Sequence, residues 1–358
     1  MYEIISRLCN KIDFEVITQK DTNINQKLLD LSIPVRIWKE YDDNFRALRW
    51  LTIIIWNLKT IWYTYNDKAS CFHINDLKGL ARMGFALAIM KKRFVFNARD
   101  TNVKSKPYRG PWKLLQYSDA IICLSKEMVQ DYVERLPIRR VTSLSFDYAY
   151  SLIDFDYFRP VNFSTSHKLR QIFGWKEGEK VILVVGKIDP KKNQLNLVKE
   201  WSKKPISNAR LVLIGDYAPK SNGYNKAVGD FVHEERLNSV SILGYKKNIY
   251  EYYQAADLVL ICSKREGLAR CMIEGLACGR AVVSFNVCSA SEILENNRCG
   301  TVVRQGNFHH LLKEAGQLLS DKKRIKEYEE NAVQTSRSLF KEERILKTYY
   351  EVWKKEEK

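Results

Sequence analysis

The sequence predicts an α/β protein with two doubly wound domains. The chain has 358 residues, which is enough for two domains that each bury their own core. From Lys180 onward, short runs of β-branched residues alternate with helical stretches, and several runs are apolar almost throughout. Such runs are typical of strands in a parallel sheet that helices cover on both faces. The first half repeats this rhythm more weakly.

The strands predicted in the second half are short apolar runs. They are Val181–Val185, Leu211–Ile214, Ser239–Leu243, Leu258–Ile261, Ala281–Ser284 and Thr301–Val303. Helical patterns fill the gaps at Leu195–Trp201, Ile249–Ala255 and Met272–Ala277. Because strands and helices alternate, right-handed crossovers and a doubly wound sheet are expected, with ligands bound at the carboxyl ends of the strands.

The first half predicts a second α/β domain. A helix at Ile4–Asn10 precedes strand candidates at Glu15–Ile17, Val35–Ile37, Ala69–His73, Phe94–Asn97 and Ala120–Leu124. We place the first domain at residues 1–158 and the second at 159–340, with the join near Ser151–Pro160. The last helix, 341–358, is amphipathic and is expected to pack on the first domain.

The composition narrows the class of protein. The chain carries 59 Lys and Arg against 42 Asp and Glu, a formal net charge of +17, which favours an anionic partner. The basic residues are spread over both halves, which argues against nucleic acid. The His and Cys residues lack metal-ligand spacing, and the scattered Cys predict buried thiols in a reducing, cytoplasmic compartment. Met1–Glu3 does not begin a signal peptide.

The segment Arg46–Trp62 combines cations with aromatic residues. Its apolar part, Trp50–Trp56, is shorter than the ~20 residues that a membrane span needs. Two interpretations therefore stay open. The segment is either an ordinary packed helix or a helix that lies on an anionic membrane surface.

Two segments of the second half carry charges directly after predicted strands. In the first, Gly186 ends a strand, and Lys187 and Lys192 can act as cations for a diphosphate. In the second, Glu266 and Glu274 flank a helix start, where backbone N–H groups can meet anionic oxygen. Vicinal ribose hydroxyls would satisfy a carboxylate in the apolar helix that holds Glu274. The alternatives are a solvated lysine turn and a Glu274 paired with a nearby Lys or Arg.

These segments resemble the retaining glycosyltransferases of family 4, a large group with the GT-B fold. The run from Glu266 to Val283 looks like the E-x7-E motif of that family. Supporting matches lie around it: Gly186-Lys187 with Lys192-Asn193, Gly215-Asp216, Gly244, Ala256-Asp257 with Ser263, Ser118–Ser125, and Ile153-Asp154 with Phe158 and Pro160. The resemblance is specific over Tyr117–Val303 and loose before that.

The resemblance implies two Rossmann-like domains that face each other across a cleft, with the N-terminal domain shortened. Lys187 and Lys192 would stabilise the diphosphate leaving group, Glu274 would hold the ribose, and Glu266 would contact the transferred sugar. The other residues that the resemblance places at the donor are Gly186, Asp216, Gly244, Gly267, Leu268 and Ala269. It also implies retention of configuration, no metal, and no cofactor besides the nucleotide-diphosphate sugar. The N-terminal domain would bind the acceptor.

The chain departs from the family pattern in three places. Family members open with a strand and a glycine-rich loop, whereas Met1–Asn10 already has a helical pattern. Either the chain is naturally shortened, or its start codon is misplaced, or its contacts with the acceptor have been lost. Arg99 stands where a substrate-binding His is common, and His73 at another strand end is a second candidate, with an ordinary surface histidine as the alternative. Cys288–Glu292 replaces a segment that usually has two glycines near the donor.

We therefore expect a retaining hexosyltransferase of polysaccharide or glycoconjugate biosynthesis. It would use a UDP or GDP sugar and a glycan or lipid-linked acceptor at the cytoplasmic face of the membrane. The alternative is a non-catalytic GT-B partner or scaffold protein that has lost acceptor-side elements. Further alternatives are a nucleic-acid-binding protein and an epimerase or glycogen-type synthase on the same scaffold; Glu274 and the Ala277–Arg280 continuation favour a transferase over the latter.

Overall fold

The computed structural model describes residues 1–39, 46–66, 69–99, 110–136, 144–216 and 223–355. The chain forms two compact units. The N-terminal unit consists of Met1–Leu152 and Glu342–Lys358, and the C-terminal unit consists of Ile153–Lys341. The strands of both units are parallel and alternate with helices, which confirms the predicted α/β class.

The described residues of the N-terminal unit form two parallel sheets. The two-stranded sheet pairs β1 (Val16–Thr18) with β2 (Val35–Ile37). The four-stranded sheet has the order β3 (Phe72–Ile74), β4 (Phe94–Ala98), β5 (Ala120–Cys123) and β6 (Ser145–Tyr148). Every residue of β4 and β5 is buried, so the core of this unit lies along these central strands.

Helices surround these sheets. They are α1 (Tyr2–Leu8), α2 (Asn23–Leu29), α3 (Arg46–Asn66), α4 (Leu77–Ile89), a 3₁₀ helix (Gly110–Tyr117) and α5 (Lys126–Arg135). Side chains cap two of them: the Asp76 carboxylate accepts from the N–H of Gly79 at 2.7 Å, and Ser125 accepts from the N–H of Met128 at 3.2 Å. Such caps fix where α4 and α5 begin.

The C-terminal helix, Glu342–Lys354, belongs to the N-terminal unit. Its Tyr349 hydroxyl accepts from the Asn97 side chain at 3.2 Å, and the carbonyl oxygen of Trp353 accepts from Arg93 at 2.9 Å. An ion pair of 2.6 Å joins Glu342 to Arg7 of α1. The apolar face of this helix is therefore buried against β4 and its neighbours.

The C-terminal unit is built on one six-stranded parallel sheet. Its strands are β7 (Lys180–Val185), β8 (Ala209–Ile214), β9 (Val240–Ile242), β10 (Leu258–Ile261), β11 (Ala281–Phe285) and β12 (Gly300–Val303). They lie in the order β12-β11-β10-β7-β8-β9. The chain changes direction across the sheet between β7 and β10, and ligands of open parallel sheets bind at such a switch point.

Helices cover the sheet of the C-terminal unit. They are α6 (Phe163–Ile172), α7 (Gln194–Lys203), α8 (Tyr224–Glu234), α9 (Ile249–Ala255), α10 (Arg270–Ala277), a π-helical turn (Ser291–Glu295), α11 (Phe308–Ser320) and α12 (Lys322–Leu339). β10 and β11 are buried along their whole length, as expected for strands between two helix layers.

The strand predictions hold with small shifts at the ends. The prediction for Ala69–His73 was wrong at its start, because the strand β3 begins only at Phe72. Strand β6, Ser145–Tyr148, was missed since its residues are all half-buried and include polar side chains, so they show no apolar run. Glu356 and Glu357, within the predicted last helix, lie outside the described residues.

Candidate functional site

The first segment of the candidate site is the turn after β7. Gly186 has a φ of +151°, a backbone conformation that residues with a side chain rarely adopt. A Cβ on Gly215, just after β8, would lie 2.0 Å from the carbonyl oxygen of Gly186. A Cβ on Gly186 would lie 3.3 Å from Cε of Lys192. The two glycines therefore let neighbouring strand ends meet and leave space for the Lys192 side chain.

Lys192 and Glu266 form an ion pair between the two predicted segments. The ammonium Nζ donates to Glu266 Oε1 at 2.5 Å, and the side chains are 29% and 13% exposed. Burial alone would lower the pKa of Lys192, but the negative charge and the hydrogen bond of Glu266 oppose this effect, and the pKa is raised. Lys192 therefore stays a cation that the partly buried carboxylate holds in place.

Main-chain contacts hold these segments against each other. The N–H of Lys264 donates to the carbonyl oxygen of Lys191 at 2.8 Å. The thiol of Cys262 donates to the carbonyl oxygen of Lys192 at 3.1 Å. Because the segments leave the paired strands β7 and β10, strand pairing sets their separation.

Glu274 lies on α10, two turns beyond Glu266. Its Oε2 accepts from the Tyr253 hydroxyl at 2.9 Å, and its Oε1 lies 3.3 Å from Nε of Arg270. An ion pair with a nearby basic residue, one of the arrangements that the sequence left open, is thus present. Burial first, and the charge of Glu274 second, raise the pKa of Tyr253 well above its ordinary value, so the hydroxyl remains a donor. A carboxylate offers about four acceptor positions, so Glu274 keeps capacity for a ligand.

Buried thiols line this region. Burial raises the pKa of Cys262 and of Cys271 to about 12, so both stay protonated and behave as small apolar side chains. All eight cysteines are free; five are buried as predicted, whereas Cys9, Cys71 and Cys288 are half-buried. Among the described residues, no group of three His, Cys, Asp or Glu side chains is placed to hold a metal ion.

The entry to α10 consists of Gly267, Leu268 and Ala269. Leu268 and Ala269 are buried, and the N-cap residue Ala269 makes no side-chain cap hydrogen bond. N–H groups at a helix start favour an anion. The carbonyl oxygen of Gly267 accepts from the Ser289 hydroxyl at 3.3 Å. Ser289 has a φ of +72°, a conformation that suits glycine, in the segment where the resemblance led us to expect glycines.

The remaining donor-side candidates lie around the Gly186 turn. The Lys187 side chain is exposed, and its carbonyl oxygen accepts from Gln194 at 2.8 Å. Asp216 is also exposed, and its carbonyl oxygen accepts from the N–H of Ile188 at 3.0 Å. The carbonyl oxygen of Gly244 accepts from the N–H of Gly215 at 3.0 Å. The structure thus joins Lys192 directly to Glu266, whereas Lys187 extends into solvent from the same turn.

Sequence reasoning missed two side chains that position this site. Tyr253 lies on α9, where the helical pattern indicated packing only, although it is fully buried and donates to Glu274. Gln194 is buried at the start of α7 and binds the main chain of the Gly186 turn. The sequence signal for both was a polar group on an otherwise apolar helix face, because a buried polar group needs a hydrogen-bond partner.

The N-terminal unit holds the two other predicted residues. A cavity of about 1070 Å³ is lined by residues of β1, β3 and the C-terminal helix, and His73 and Arg99 both line it. Arg99 is exposed, directly after β4. Asp100, which follows Arg99, lies outside the described residues.

His73 is a neutral side chain that offers one donor. The indole N–H of Trp353 donates to His73 Nδ1 at 3.1 Å, so the ring proton must sit on Nε2. Nε2 is buried and has no partner among the described residues. Burial, followed by the positive charges of the N-terminal amino group and Arg99, lowers the pKa of His73 to about 3. His73 is therefore not an ordinary surface histidine.

A family model matches most of the C-terminal unit. Residues 165–335 match the family model for glycosyl transferases group 1. The chain is 25% identical over 187 residues, 52% of its length and 48% of the relative's, to N-acetyl-alpha-D-glucosaminyl L-malate synthase of Bacillus anthracis. It is 25% identical over 198 residues, 54% of its length and 50% of the relative's, to the putative glycosyltransferase EpsD of Bacillus subtilis. The chain thus spans about half the length of these curated relatives.

Solved structures resemble the whole chain. Anabaena HepE in complex with UDP-glucose has a TM-score of 0.79 and 20% identity, and the match covers 98% of this chain and 93% of that chain. Sucrose-phosphate synthase from Thermosynechococcus elongatus has a TM-score of 0.76 and 16% identity, with 97% and 90% covered. At this identity the likeness shows the fold alone.

Proposed function

We propose that this chain transfers a hexose-type sugar from a nucleotide-diphosphate sugar. Its residues 165–335 match the family model for glycosyl transferases group 1, and its fold is GT-B. The acceptor would be a glycan or a lipid-linked glycan, in the synthesis of a polysaccharide or glycoconjugate. Relatives with glycosyltransferase names and a structural neighbour crystallised with UDP-glucose support this proposal. We further propose that the reaction retains the anomeric configuration and needs no metal.

The observation that carries the proposal is the charged pair at the switch point of the sheet. Lys192 is a partly buried cation 2.5 Å from Glu266, beside the uncapped start of α10. A diphosphate placed there would draw the ammonium group to its own oxygens and would release Glu266 from the ion pair. Glu266 would then accept hydrogen bonds from sugar hydroxyls. The resting ion pair thus keeps both groups in position before the donor binds.

The reaction breaks the bond between the anomeric carbon and the diphosphate oxygen. Negative charge grows on the leaving diphosphate, and Lys192, the exposed Lys187 and the N–H groups at the start of α10 would stabilise it. These groups would supply the positive charge that other enzymes take from a metal ion. Retention requires that the acceptor hydroxyl oxygen bonds to the anomeric carbon on the face from which the leaving group departs. The proton of that hydroxyl would pass to the departing diphosphate oxygen, which gains negative charge.

Glu274 would hold the ribose. Two of its acceptor positions are already used by Tyr253 and Arg270, which orient the carboxylate on α10. Two vicinal hydroxyls would occupy the others or displace the half-exposed Arg270. In the N-terminal unit, His73 and Arg99 are our candidates for sugar contacts, since a buried N–H donor and a cation both face one cavity.

Calorimetry with UDP and GDP tests this assignment. We expect Lys192→Ala to weaken binding of the preferred nucleotide by about tenfold to a hundredfold, the effect of losing a charge-assisted hydrogen bond. Lys191→Ala is the matched control, because Lys191 is the exposed neighbour and contributes only its main chain to the site. Equal affinity of the Lys192→Ala variant and the wild type would refute the proposed donor site.

Turnover separates an enzyme from a binding protein. The wild type is screened by mass spectrometry for hydrolysis of nucleotide sugars, followed by Glu266→Gln and Glu274→Gln. We expect hydrolysis to fall at least about a hundredfold in both variants. Tight nucleotide binding without turnover of any nucleotide sugar would instead favour the non-catalytic GT-B partner.

A further inference from the structure

Helix α3 exposes a continuous apolar stripe. Trp50, Ile54, Leu58 and Trp62 follow each other at four-residue steps and are 61%, 54%, 60% and 71% exposed. At 100° per residue these four side chains lie within an arc of about 120°. Large apolar side chains are usually scattered on a protein surface, so an aligned set of this kind marks an interaction face. We call these four residues the α3 stripe.

The opposite face of α3 is anchored in the N-terminal unit. Trp56 is buried, and the Asn57 side chain donates to the carbonyl oxygen of Ala81 at 3.3 Å. The N–H of Ala86 donates to Asn57 Oδ1 at 3.0 Å. Rotating the helix to hide the stripe would break these buried hydrogen bonds. The exposure of the stripe is therefore a stable property of the packing between α3 and α4.

The two helices α3 and α4 carry cations and no acidic residue. Lys59 and Lys78 are exposed, and α3 also contains Arg46 and Arg49, whereas Arg82 of α4 is buried over the Trp56 ring on the anchored side of α3. Lys59 is exposed and lies 100° around the helix from Leu58. The side chains of Arg46 and Arg49 lie outside what the structure describes. On α4, Phe85 and Ile89 add apolar surface, with 54% and 56% exposed.

We propose that the α3 stripe docks on the surface of an anionic lipid bilayer. Tryptophan is the side chain that favours the boundary between headgroups and hydrocarbon, and neighbouring cations are attracted to anionic headgroups. No helix in the described part of the chain is long and apolar enough to cross a membrane, so α3 would lie in the plane of the surface. In the membrane interpretation of Arg46–Trp62, the α3 stripe is therefore the face of the helix that contacts the lipid.

A second copy of this chain fits the same face less well. A symmetric dimer through α3 would bring two sets of like charges together without any acidic partner from α3 or α4. A bilayer rich in anionic lipid instead supplies the opposite charge and an apolar layer together. Docking needs no nucleotide, so this inference goes beyond the proposed transferase activity and can fail or succeed separately from it.

Vesicle flotation tests the proposal with the full chain. We expect binding to vesicles of phosphatidylcholine with about one third phosphatidylglycerol, and about tenfold weaker binding to pure phosphatidylcholine. The double variant Ile54→Gln with Leu58→Gln should lower binding to the anionic vesicles by about tenfold or more. Phe163→Gln with Ile172→Gln is the matched control, because these residues are 84% and 76% exposed on α6 of the other unit.

Two further measurements accompany the flotation assay. A far-UV circular dichroism melt shows whether the Ile54 and Leu58 double variant is folded. The substitutions Trp50→Phe with Trp62→Phe should remove the blue shift in tryptophan fluorescence that vesicles cause. Three outcomes would overturn the proposal: no binding to anionic vesicles, equal loss in the Phe163 and Ile172 control, or a dimer in sedimentation that the Ile54 and Leu58 variant dissociates. Nucleotide affinity measured without vesicles reports on the donor site alone.

Discussion

The two units of this chain organise their parallel strands differently. The C-terminal unit has one continuous sheet, whose central strands β7 and β10 deliver the charged loops to one edge. The N-terminal unit divides its strands between two sheets, and residues of both sheets line one cavity. Buried polar atoms of the N-terminal unit, His73 Nε2 and Asn97 Oδ1, have no partner among the described residues.

The continuity of a parallel sheet therefore determines how closely it holds the side chains of a site together. In the continuous sheet, strand pairing holds Lys192 and Glu266 at hydrogen-bond distance even before a ligand arrives. In the N-terminal unit, the buried Nε2 of His73, which has no partner among the described residues, belongs to a residue that lines the cavity; such a donor lowers stability and suits a contact that forms only with a ligand. The following substitutions test each side of that comparison.

The largest effect is expected from Gly215→Ala in the C-terminal unit. The new Cβ would lie 2.0 Å from the carbonyl oxygen of Gly186, and main-chain atoms cannot move aside without disturbing β7 and β8. We expect a loss of about 3 kcal/mol in the free energy of unfolding, measured by urea denaturation.

Gly229→Ala is the control for this substitution. Gly229 lies within α8, and a Cβ there meets nothing within 4 Å. Alanine favours the helix over glycine, so this variant should gain up to about 1 kcal/mol. Similar stabilities for the two variants would contradict the tight approach of the two strand ends.

A smaller effect concerns the pH dependence of the N-terminal unit. The pKa of His73 is about 3 in the folded chain against an ordinary value of 6.5, so the unfolded chain binds the extra proton between these values. Stability should therefore fall by about 1.4 kcal/mol for each pH unit below 6.5. Hydrogen exchange of peptides from the N-terminal unit, measured between about pH 7 and pH 5, reports this slope.

His73→Gln should flatten that dependence because it removes the titrating ring. His309→Gln is the control, since the His309 side chain is 73% exposed on the C-terminal unit. An unchanged slope in the His73→Gln variant would show that other groups cause the acid sensitivity.

The smallest effect is expected from Tyr253→Phe. The substitution removes the hydroxyl that donates to Glu274 Oε2 at 2.9 Å and keeps the buried ring. We expect nucleotide affinity to fall by about fivefold to tenfold, the effect of about 1 kcal/mol, in calorimetry. Tyr250→Phe, which changes another aromatic hydroxyl of α9, should leave the affinity unchanged; equal losses in both would argue against an orienting role for Tyr253.

Most elements of the C-terminal unit could be predicted from the sequence. Val181–Val185 and Leu258–Ile261 are apolar almost throughout, and this pattern reports burial on both faces without reference to distant residues. Strand β6 and the division of the N-terminal sheets could not be predicted, because half-buried residues and strand order leave no local pattern. Tyr253 was missed for a related reason: its partner, Glu274, lies on another helix.

By itself the sequence determined the α/β class, the C-terminal strands, and the presence of two lysines and two glutamates at strand ends and a helix start. These features follow from local periodicity and from the chemistry of each residue type. Only the tertiary structure decided that Lys192 pairs with Glu266, that Tyr253 holds Glu274, and that α3 presents its stripe to solvent. Those outcomes depend on contacts between residues far apart in the chain, which packing alone selects.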